Sequence, residues 1–162
     1  MRGSLPEQPD GSFYREIARY RIQQVLSSFL AVTLHHRKVT VSKCILIADD
    51  SRAIRSATRR SLESPPGLEV CGEAVDGLDA VAKARSLKPD LIILDLAMPR
   101  MNGLQAAREL RAMMVRVPII LFTLHADAVP PQDAVAAGIS AVVSKMNIPA
   151  LREHIESLLV TT

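Results

Sequence analysis

The feature that most constrains the fold is the stretch Leu-Ile-Ile-Leu-Asp-Leu-Ala-Met-Pro at residues 91–99. Its short uncharged apolar run is typical of a strand buried on both faces of a parallel sheet. One carboxylate, Asp95, follows the run directly and precedes an abrupt turn. Three other apolar runs also end in polar residues: Asp49 with Asp50, Thr123, and Lys145. Because the carboxyl ends of parallel strands open onto one crevice, these strand ends predict a shared site.

From residue 43 onward, strand patterns alternate with helix patterns. We predict strands near 43–48, 68–73, 90–95, 117–122 and 140–144, and helices near 51–63, 76–86, 102–112, 127–137 and 149–160. Ser51, Asp76, Asn102 and Asp127 are the predicted helix caps. Five strand-helix units in one domain predict the α/β class, with a doubly wound five-stranded parallel sheet.

Composition separates the start of the chain from the rest. Of the 162 residues, 48% are hydrophobic and only 3% aromatic, so the core must be aliphatic and base stacking on single-stranded nucleic acid is not expected. Residues 1–42 hold six Lys or Arg against three Asp or Glu, whereas residues 43–162 hold 14 of each sign. We predict an N-terminal extension over 1–42, disordered or partly helical, and a single domain over 43–162.

Cysteine usage and hydropathy bear on the compartment. Cys44 and Cys71 lack metal-ligand spacing and form no Cys-x-x-Cys pair, so we predict small buried thiols in a reducing environment. The apolar segment 25–34 is shorter than the roughly 20 residues needed to span a bilayer. A cytoplasmic protein with no membrane contact is therefore expected.

The clustered side chains indicate phosphoryl chemistry. Three neighbouring carboxylates repel one another, and a hard divalent cation such as Mg²⁺ relieves that repulsion by accepting oxygen ligands. With the metal bound, Asp95 can act as a nucleophile toward phosphorus. Lys145 would place a positive charge on one phosphoryl oxygen and Thr123 a hydroxyl on another.

These residues resemble those of the receiver domain of two-component response regulators. The resemblance rests on the acid pair after the first strand, on Leu-Asp-Leu-Ala-Met-Pro-Arg-Met-Asn-Gly at 94–103, and on the polar residues that end the fourth and fifth strands. It covers about residues 43–162. It implies a flavodoxin-like strand order 2-1-3-4-5, as in single-domain chemotaxis regulators.

The resemblance also implies a role for each site residue. Asp95 corresponds to the phosphoacceptor, Asp50 to a direct Mg²⁺ ligand, Asp49 to a ligand acting largely through water, and the backbone carbonyl of Ala97 to a further ligand. Thr123 and Lys145 correspond to the switch hydroxyl and the phosphate-binding lysine. The usual aromatic switch position, three residues before that lysine, is Val142, so the switch is expected to be aliphatic or weaker.

The family further implies partners and a mode of action. We expect phosphoryl transfer from a sensor histidine kinase or phosphotransfer protein, and output through protein contacts of the helix 4, strand 5 and helix 5 face. No separate substrate turnover is expected, so the protein is not predicted to be an enzyme. Residues 146–162 have room only for the last helix, so neither an output domain nor nucleic-acid binding is expected.

Two alternatives stay open at this stage. A pseudo-receiver would keep the fold and act as an interaction module without functional phosphorylation, although such proteins normally lose part of the acidic triad. Within the receiver class, a phosphorelay intermediate competes with an effector-binding regulator. A haloacid dehalogenase-type phosphatase is disfavoured because it needs an acid where this chain has Ala97.

Overall fold

Five parallel strands form the centre of the computed structural model, which describes residues 42–64, 67–114 and 116–160. The strands are β1 Lys43–Ala48, β2 Leu68–Ala74, β3 Leu91–Leu94, β4 Ile119–Thr123 and β5 Ala141–Ser144. Their order in the sheet is β2-β1-β3-β4-β5. The predicted fold class and strand order are therefore confirmed.

The strand register brings the carboxyl ends of the strands to one edge. Ala48 at the end of β1 is paired with Leu94 at the end of β3, and Leu94 is paired with Leu121 of β4. Thr123 at the end of β4 is paired with Ser144 at the end of β5. The polar residues that end these strands consequently lie side by side, as four converging strand ends require.

The helices are α1 Arg52–Leu62, α2 Gly77–Leu87, α3 Gly103–Met113, α4 Pro131–Ala136 and α5 Ile148–Val160. Three predicted caps are confirmed. Ser51 accepts a hydrogen bond from the Ile54 amide at 3.4 Å, and Asp76 accepts one from the Asp79 amide at 2.9 Å. Asn102 forms a reciprocal capping box with Gln105.

The fourth helix differs from its prediction. A helix was expected over 127–137 with Asp127 as its cap, but Ala126–Ala128 forms a 3₁₀ turn and α4 begins only at Pro131. Proline at 130 disfavours helical backbone at the preceding residue, and Val129 is accordingly extended, with φ −90° and ψ 111°. Pro131 suits the first helical position because it has no amide hydrogen to leave unpaired.

Aliphatic side chains form a core on each face of the sheet. One core packs α2, α3 and α4 against the sheet, and the other packs α1 and α5 against the opposite face. The strands β3 and β4 are buried along their whole length, which explains their lack of charge. Helices on both faces leave the carboxyl edge of the sheet as the open crevice.

The cysteine prediction is wrong. Cys44 and Cys71 form a disulfide that links β1 to β2, with Cα atoms 5.3 Å apart. Both cysteines lie on neighbouring strands, and Cys71 occupies the register shift between the partners of Ile45 and Leu46. The two cysteines are 27 residues apart in the sequence and become neighbours only when β1 and β2 pair. Their spacing along the chain therefore did not predict the disulfide.

The other predictions concern the N-terminal extension and contact with a membrane. The extension over 1–42 lies, apart from residue 42, outside the described residues. Within the described ranges, no helix is both long and apolar enough to cross a bilayer.

Candidate functional site

Three carboxylates meet at the carboxyl edge of β1 and β3. Asp49, Asp50 and Asp95 each offer an oxygen within 4.8 Å of the others. Asp49 and Asp95 are buried, at 2% and 5% exposure, whereas Asp50 is exposed. At that separation each charged pair repels by about 3 to 4 kcal/mol at an effective dielectric of about 20. The cluster therefore needs positive charge nearby.

Lys145 supplies positive charge to the two buried acids. Its Nζ lies 2.6 Å from Oδ2 of Asp49 and 3.0 Å from Oδ2 of Asp95. The lysine side chain is only 8% exposed, so both contacts are shielded from water. The structure thus brings together the ends of β1, β3 and β5, as the sequence predicted. The remaining carboxylate oxygens accept backbone hydrogen bonds, from Ser51 at 2.9 Å and from Leu96 at 2.8 Å.

Burial and neighbouring charges shift the pKa values of Asp95 and Lys145. Burial raises the pKa of Asp95 above its usual range; hydrogen bonding and attraction from Lys145 offset this only in part, and the charge of Asp49 adds to it. Burial alone would lower the pKa of Lys145, but hydrogen bonds to Asp49 and Asp95 outweigh it, so its pKa is raised. The lysine therefore remains charged. One ammonium shared by two acids does not fully offset the burial of the Asp95 carboxylate. A second positive charge beside it would therefore be favourable.

Thr123 lies at the end of β4, beside the lysine strand. The residue is 1% exposed, and its backbone carbonyl accepts a hydrogen bond from the Lys145 amide at 2.9 Å. Its Oγ1 accepts a hydrogen bond from the His125 amide at 3.3 Å, which leaves the hydroxyl hydrogen to donate elsewhere. Val142, at the expected aromatic position, is paired with Leu121 and packs against the core shared with α2, α3 and α4.

The turn after Asp95 is held in two ways. The Gly103 amide donates to the Leu96 carbonyl at 3.0 Å, and Gly103 packs so closely on the Asp95 backbone that a Cβ atom could not fit. Nε of Arg100 donates to Oδ2 of Asp76 at 2.7 Å, which ties the turn to the start of α2. Arg100 adopts the left-handed backbone region with φ 63°.

Ala97 and Pro99 lie in the same turn. Both are exposed. Among residues 42–64, 67–114 and 116–160, no hydrogen bond uses the Ala97 carbonyl oxygen, so it is available as a ligand. The donor set of carboxylate and carbonyl oxygens fits a hard cation such as Mg²⁺, which favours one or two carboxylates with water and phosphate oxygens.

Two arginines of α1 were not among the site residues predicted from the sequence. Arg60 is exposed on α1, whereas Arg55 is only 8% exposed. Nη1 of Arg55 donates to the Asp49 carbonyl at 2.7 Å. Arg59 contacts Glu73 at 2.8 Å, and the hydrogen bond from Arg59 is the leading reason that the pKa of Glu73 is lowered. The spacing of Arg55 after the acid pair, one helical turn into α1, was the available signal.

Comparison with known proteins identifies the family to which the chain belongs. The family profile described as "Response regulator receiver domain" matches residues 45–156. The chain belongs to this family. The receiver is 41% identical over 103 residues to a protein-glutamate methylesterase/protein-glutamine glutaminase from Nocardioides sp., a match that covers 62% of this chain. It is 35% identical over 105 residues to the response regulator UvrY of Escherichia coli K12, a match that covers 65% of this chain.

Solved structures agree with the receiver assignment. The response regulator domain of Thermotoga maritima CheB has a TM-score of 0.68 at 27% identity, covering 73% of this chain and 96% of that one. A LuxR-family response regulator from Aurantimonas sp. has a TM-score of 0.69 at 31% identity, covering 74% and 86%. The receiver match spans only 28% of the methylesterase and 48% of UvrY, so the activities of those whole proteins do not transfer with it.

Proposed function

We propose that this receiver is a phosphorylation-dependent switch of a two-component phosphorelay, with Asp95 as the phosphoacceptor. The observation that carries the proposal is the buried Asp95 carboxylate, held between Lys145 at 3.0 Å and the Leu96 amide at 2.8 Å, beside two further acids. Family membership supplies the general function, a phosphorylation switch. The donor would be the phosphohistidine of a sensor kinase or phosphotransfer protein.

The side chains support an in-line transfer. An Asp95 carboxylate oxygen attacks phosphorus while the bond from phosphorus to the donor nitrogen breaks. Lys145 is already within reach of Asp95 and contacts a developing phosphoryl oxygen without a large rearrangement. The Thr123 hydroxyl, whose oxygen accepts from the His125 amide, donates to another oxygen. Burial of the two groups strengthens both contacts, because the effective dielectric is low.

We propose that Mg²⁺ is bound by the acidic edge of the site. Asp50 would be a direct ligand, Asp49 would act largely through water, and Asp95 and the Ala97 carbonyl would complete the protein ligands. When bound, the ion supplies positive charge that neutralises the carboxylates and the phosphoryl oxygens. A nearby divalent cation would favour the charged form of Asp95 that is needed for attack, in opposition to the burial that raises its pKa.

The proposed output surface is the face formed by α4, β5 and α5. An open cleft of about 500 Å³ lies at the α4 and β5 part of this face, lined by residues that include Val129, Val135 and Val142. Val135 is 76% exposed on α4, so an apolar side chain is available to a partner. Because the aliphatic Val142 faces this cleft from β5, we propose that phosphorylation changes the cleft through movement of the Thr123 loop and not through rotation of an aromatic ring.

Phosphorylation is tested by intact-mass spectrometry after incubation with Mg²⁺ and acetyl phosphate. Wild type is expected to gain one phosphoryl group, and Asp95→Asn none. If neither gains mass although both are folded by circular dichroism, a phosphorylated histidine kinase is offered as donor. Absence of transfer from that donor as well would replace the switch by the pseudo-receiver alternative.

The output surface is tested with Val135→Lys, matched by Val75→Lys, which changes a 45% exposed valine on the loop after β2. Both variants are expected to be phosphorylated at the wild-type rate. Only the Val135 variant should lose phosphorylation-dependent binding to a non-kinase partner. Loss of phosphorylation in the Val135 variant would contradict a separate output surface, and return of the phosphoryl group to a histidine protein would favour a relay role.

We further propose that the protein acts in the cytoplasm, turns over no separate substrate, and binds neither nucleic acid nor membrane. The location follows from the proposed kinase donor alone, because the disulfide between Cys44 and Cys71 removes the argument from free thiols. The expectation of no separate turnover rests on the site itself, whose acids and lysine are occupied with one phosphoryl group.

A further inference from the structure

A buried arginine lies beneath the acid pair. Arg55 is on α1, five residues after Asp50, and its side chain is 10% exposed. A guanidinium is always charged and is seldom buried unless its donors are paired.

Its donors hold the backbone of Asp49 and Asp50, the two residues that we call the acid loop. Nη1 donates to the carbonyl oxygen of Asp49 at 2.7 Å and lies 3.4 Å from that of Asp50. Nε donates to Oε2 of Glu73 on β2 at 3.1 Å. The same guanidinium thus joins the two backbone carbonyls of the acid loop to a fixed strand. Bonds from a charged donor in a buried position are stronger than ordinary backbone bonds.

The charge on Arg55 does not itself favour a cation in the site, since like charges repel. Glu73 neutralises it within the same contact. The effect of Arg55 on the site is therefore geometric. Its guanidinium holds both backbone carbonyls toward α1, so the side chains of Asp49 and Asp50 face Asp95. Oxygens of the three carboxylates lie within 4.8 Å of one another.

We propose that Arg55 is a positioning residue for the divalent cation of the site, acting through the backbone of Asp49 and Asp50. The inference rests on the proposed function, because it concerns the cation of that same site. Groups that orient metal ligands without touching the metal typically change metal affinity by about 10- to 100-fold when removed. Replacing Arg55 should therefore weaken Mg²⁺ binding by about that factor.

Arg59 offers a matched control on the same helix. It also forms an ion pair with Glu73, at 2.8 Å, but its other contacts are to Glu63 and the Val70 carbonyl, away from the acid loop. Arg55→Met and Arg59→Met each remove one partner of Glu73 and one positive charge from α1. Only the first removes contacts to the carbonyls of the acid loop.

The experiment is a Mg²⁺ titration of the full chain, followed by amide chemical shifts of residues 49–51 and 95–97 in nitrogen-15 spectra. We expect Arg55→Met to weaken Mg²⁺ binding at least 10-fold and Arg59→Met to change it less than threefold. If Arg55→Met does not fold, Arg55→Lys and Arg59→Lys carry the same comparison, because lysine keeps the charge but lacks the planar fork with which arginine contacts the loop carbonyls and Glu73 at once.

The outcomes separate the two proposals. Wild-type affinity in the Arg55 variants would overturn the positioning role and leave the proposed function intact. Equal weakening in the Arg55 and Arg59 variants would also overturn it, and would assign the effect to Glu73 or to α1 as a whole. A wild-type chain whose site amides do not respond to Mg²⁺ would overturn the proposed metal site, and the role of Arg55 with it.

Discussion

Gly103→Ala tests how tightly the backbone of the phosphoacceptor is packed. Gly103 is the first residue of α3, and its φ is not in the left-handed region, so alanine suits the local backbone and would gain up to about 1 kcal/mol of helix propensity. A Cβ atom at this position, however, would lie 2.1 Å from the Asp95 carbonyl oxygen and 2.9 Å from both Asp95 C and Leu121 Cδ1. The helix and the strand end must separate.

The size of that separation sets the expected effects. Real Cβ atoms essentially never approach within 3.0 Å of such a neighbour, so the contact must open by about 0.9 Å. Overpacking of this kind costs about 1–3 kcal/mol, which exceeds the gain in helix propensity. A misplacement of about 1 Å also costs on the order of 100-fold in rate. Gly103→Ala should thus lower both the free energy of unfolding and the rate of Asp95 phosphorylation.

The assays are urea unfolding and the rate of phosphoryl incorporation from acetyl phosphate with Mg²⁺. Gly72→Ala is the control, because its new Cβ would meet mainly the far end of the Leu87 side chain, and Leu87 is exposed enough to rotate. A Gly103→Ala protein that is as stable as wild type and phosphorylated at the same rate would show that this glycine does not fix the Asp95 backbone.

Three further predictions concern charge, capping and the disulfide. Lys145→Met leaves the two buried carboxylates without their shared partner and should lower the free energy of unfolding by about 3–5 kcal/mol; millimolar Mg²⁺ should restore part of it in thermal denaturation. The pKa of Asp76 is lowered, first by the hydrogen bond from the Asp79 amide and also by Arg100. Its stabilising effect is therefore present above about pH 4 and lost as the pH falls through the lowered pKa, which urea unfolding from pH 7 to pH 2 would show. Reduction of the disulfide, which closes a separation of 27 residues, should cost roughly 3.5 kcal/mol by the chain-entropy relation, measured by urea unfolding with and without dithiothreitol.

Each of these has a control and a contradictory outcome. For the lysine, Lys88→Met changes an exposed lysine at the end of α2 and should have little effect; Mg²⁺ that fails to stabilise the Lys145 variant would argue against a cation at the acids. For the cap, Asp76→Asn keeps a hydrogen-bond acceptor but does not titrate. The difference in free energy of unfolding between wild type and this variant should shrink as the pH falls. A difference that stays constant down to pH 2 would contradict the stabilising effect of the Asp76 charge. For the disulfide, Cys71→Ser should be insensitive to dithiothreitol.

The sheet and the acid cluster were predictable because their signals are local and repeated. Each buried strand is an uncharged apolar run, and each reactive side chain directly follows such a run. Parallel strands necessarily present their carboxyl ends together, so sequence adjacency to a strand end is enough to place Asp49, Asp95 and Lys145 in one site. The fourth helix is shorter than the apolar pattern over 127–137 predicted, because the ring of Pro130 constrains the preceding residue.

Local patterns in the sequence are enough to predict the strand-helix alternation, the sheet order implied by the receiver motifs, and the identity of the acids and the lysine. Contacts between side chains on different strands and layers arise only in the folded domain: the disulfide between Cys44 and Cys71, and the contact of Arg55 with both the acid loop and Glu73. Such pairs depend on strand register and on the angle at which a helix packs. Those quantities come from summed packing over the whole domain, and no single segment of the chain records them.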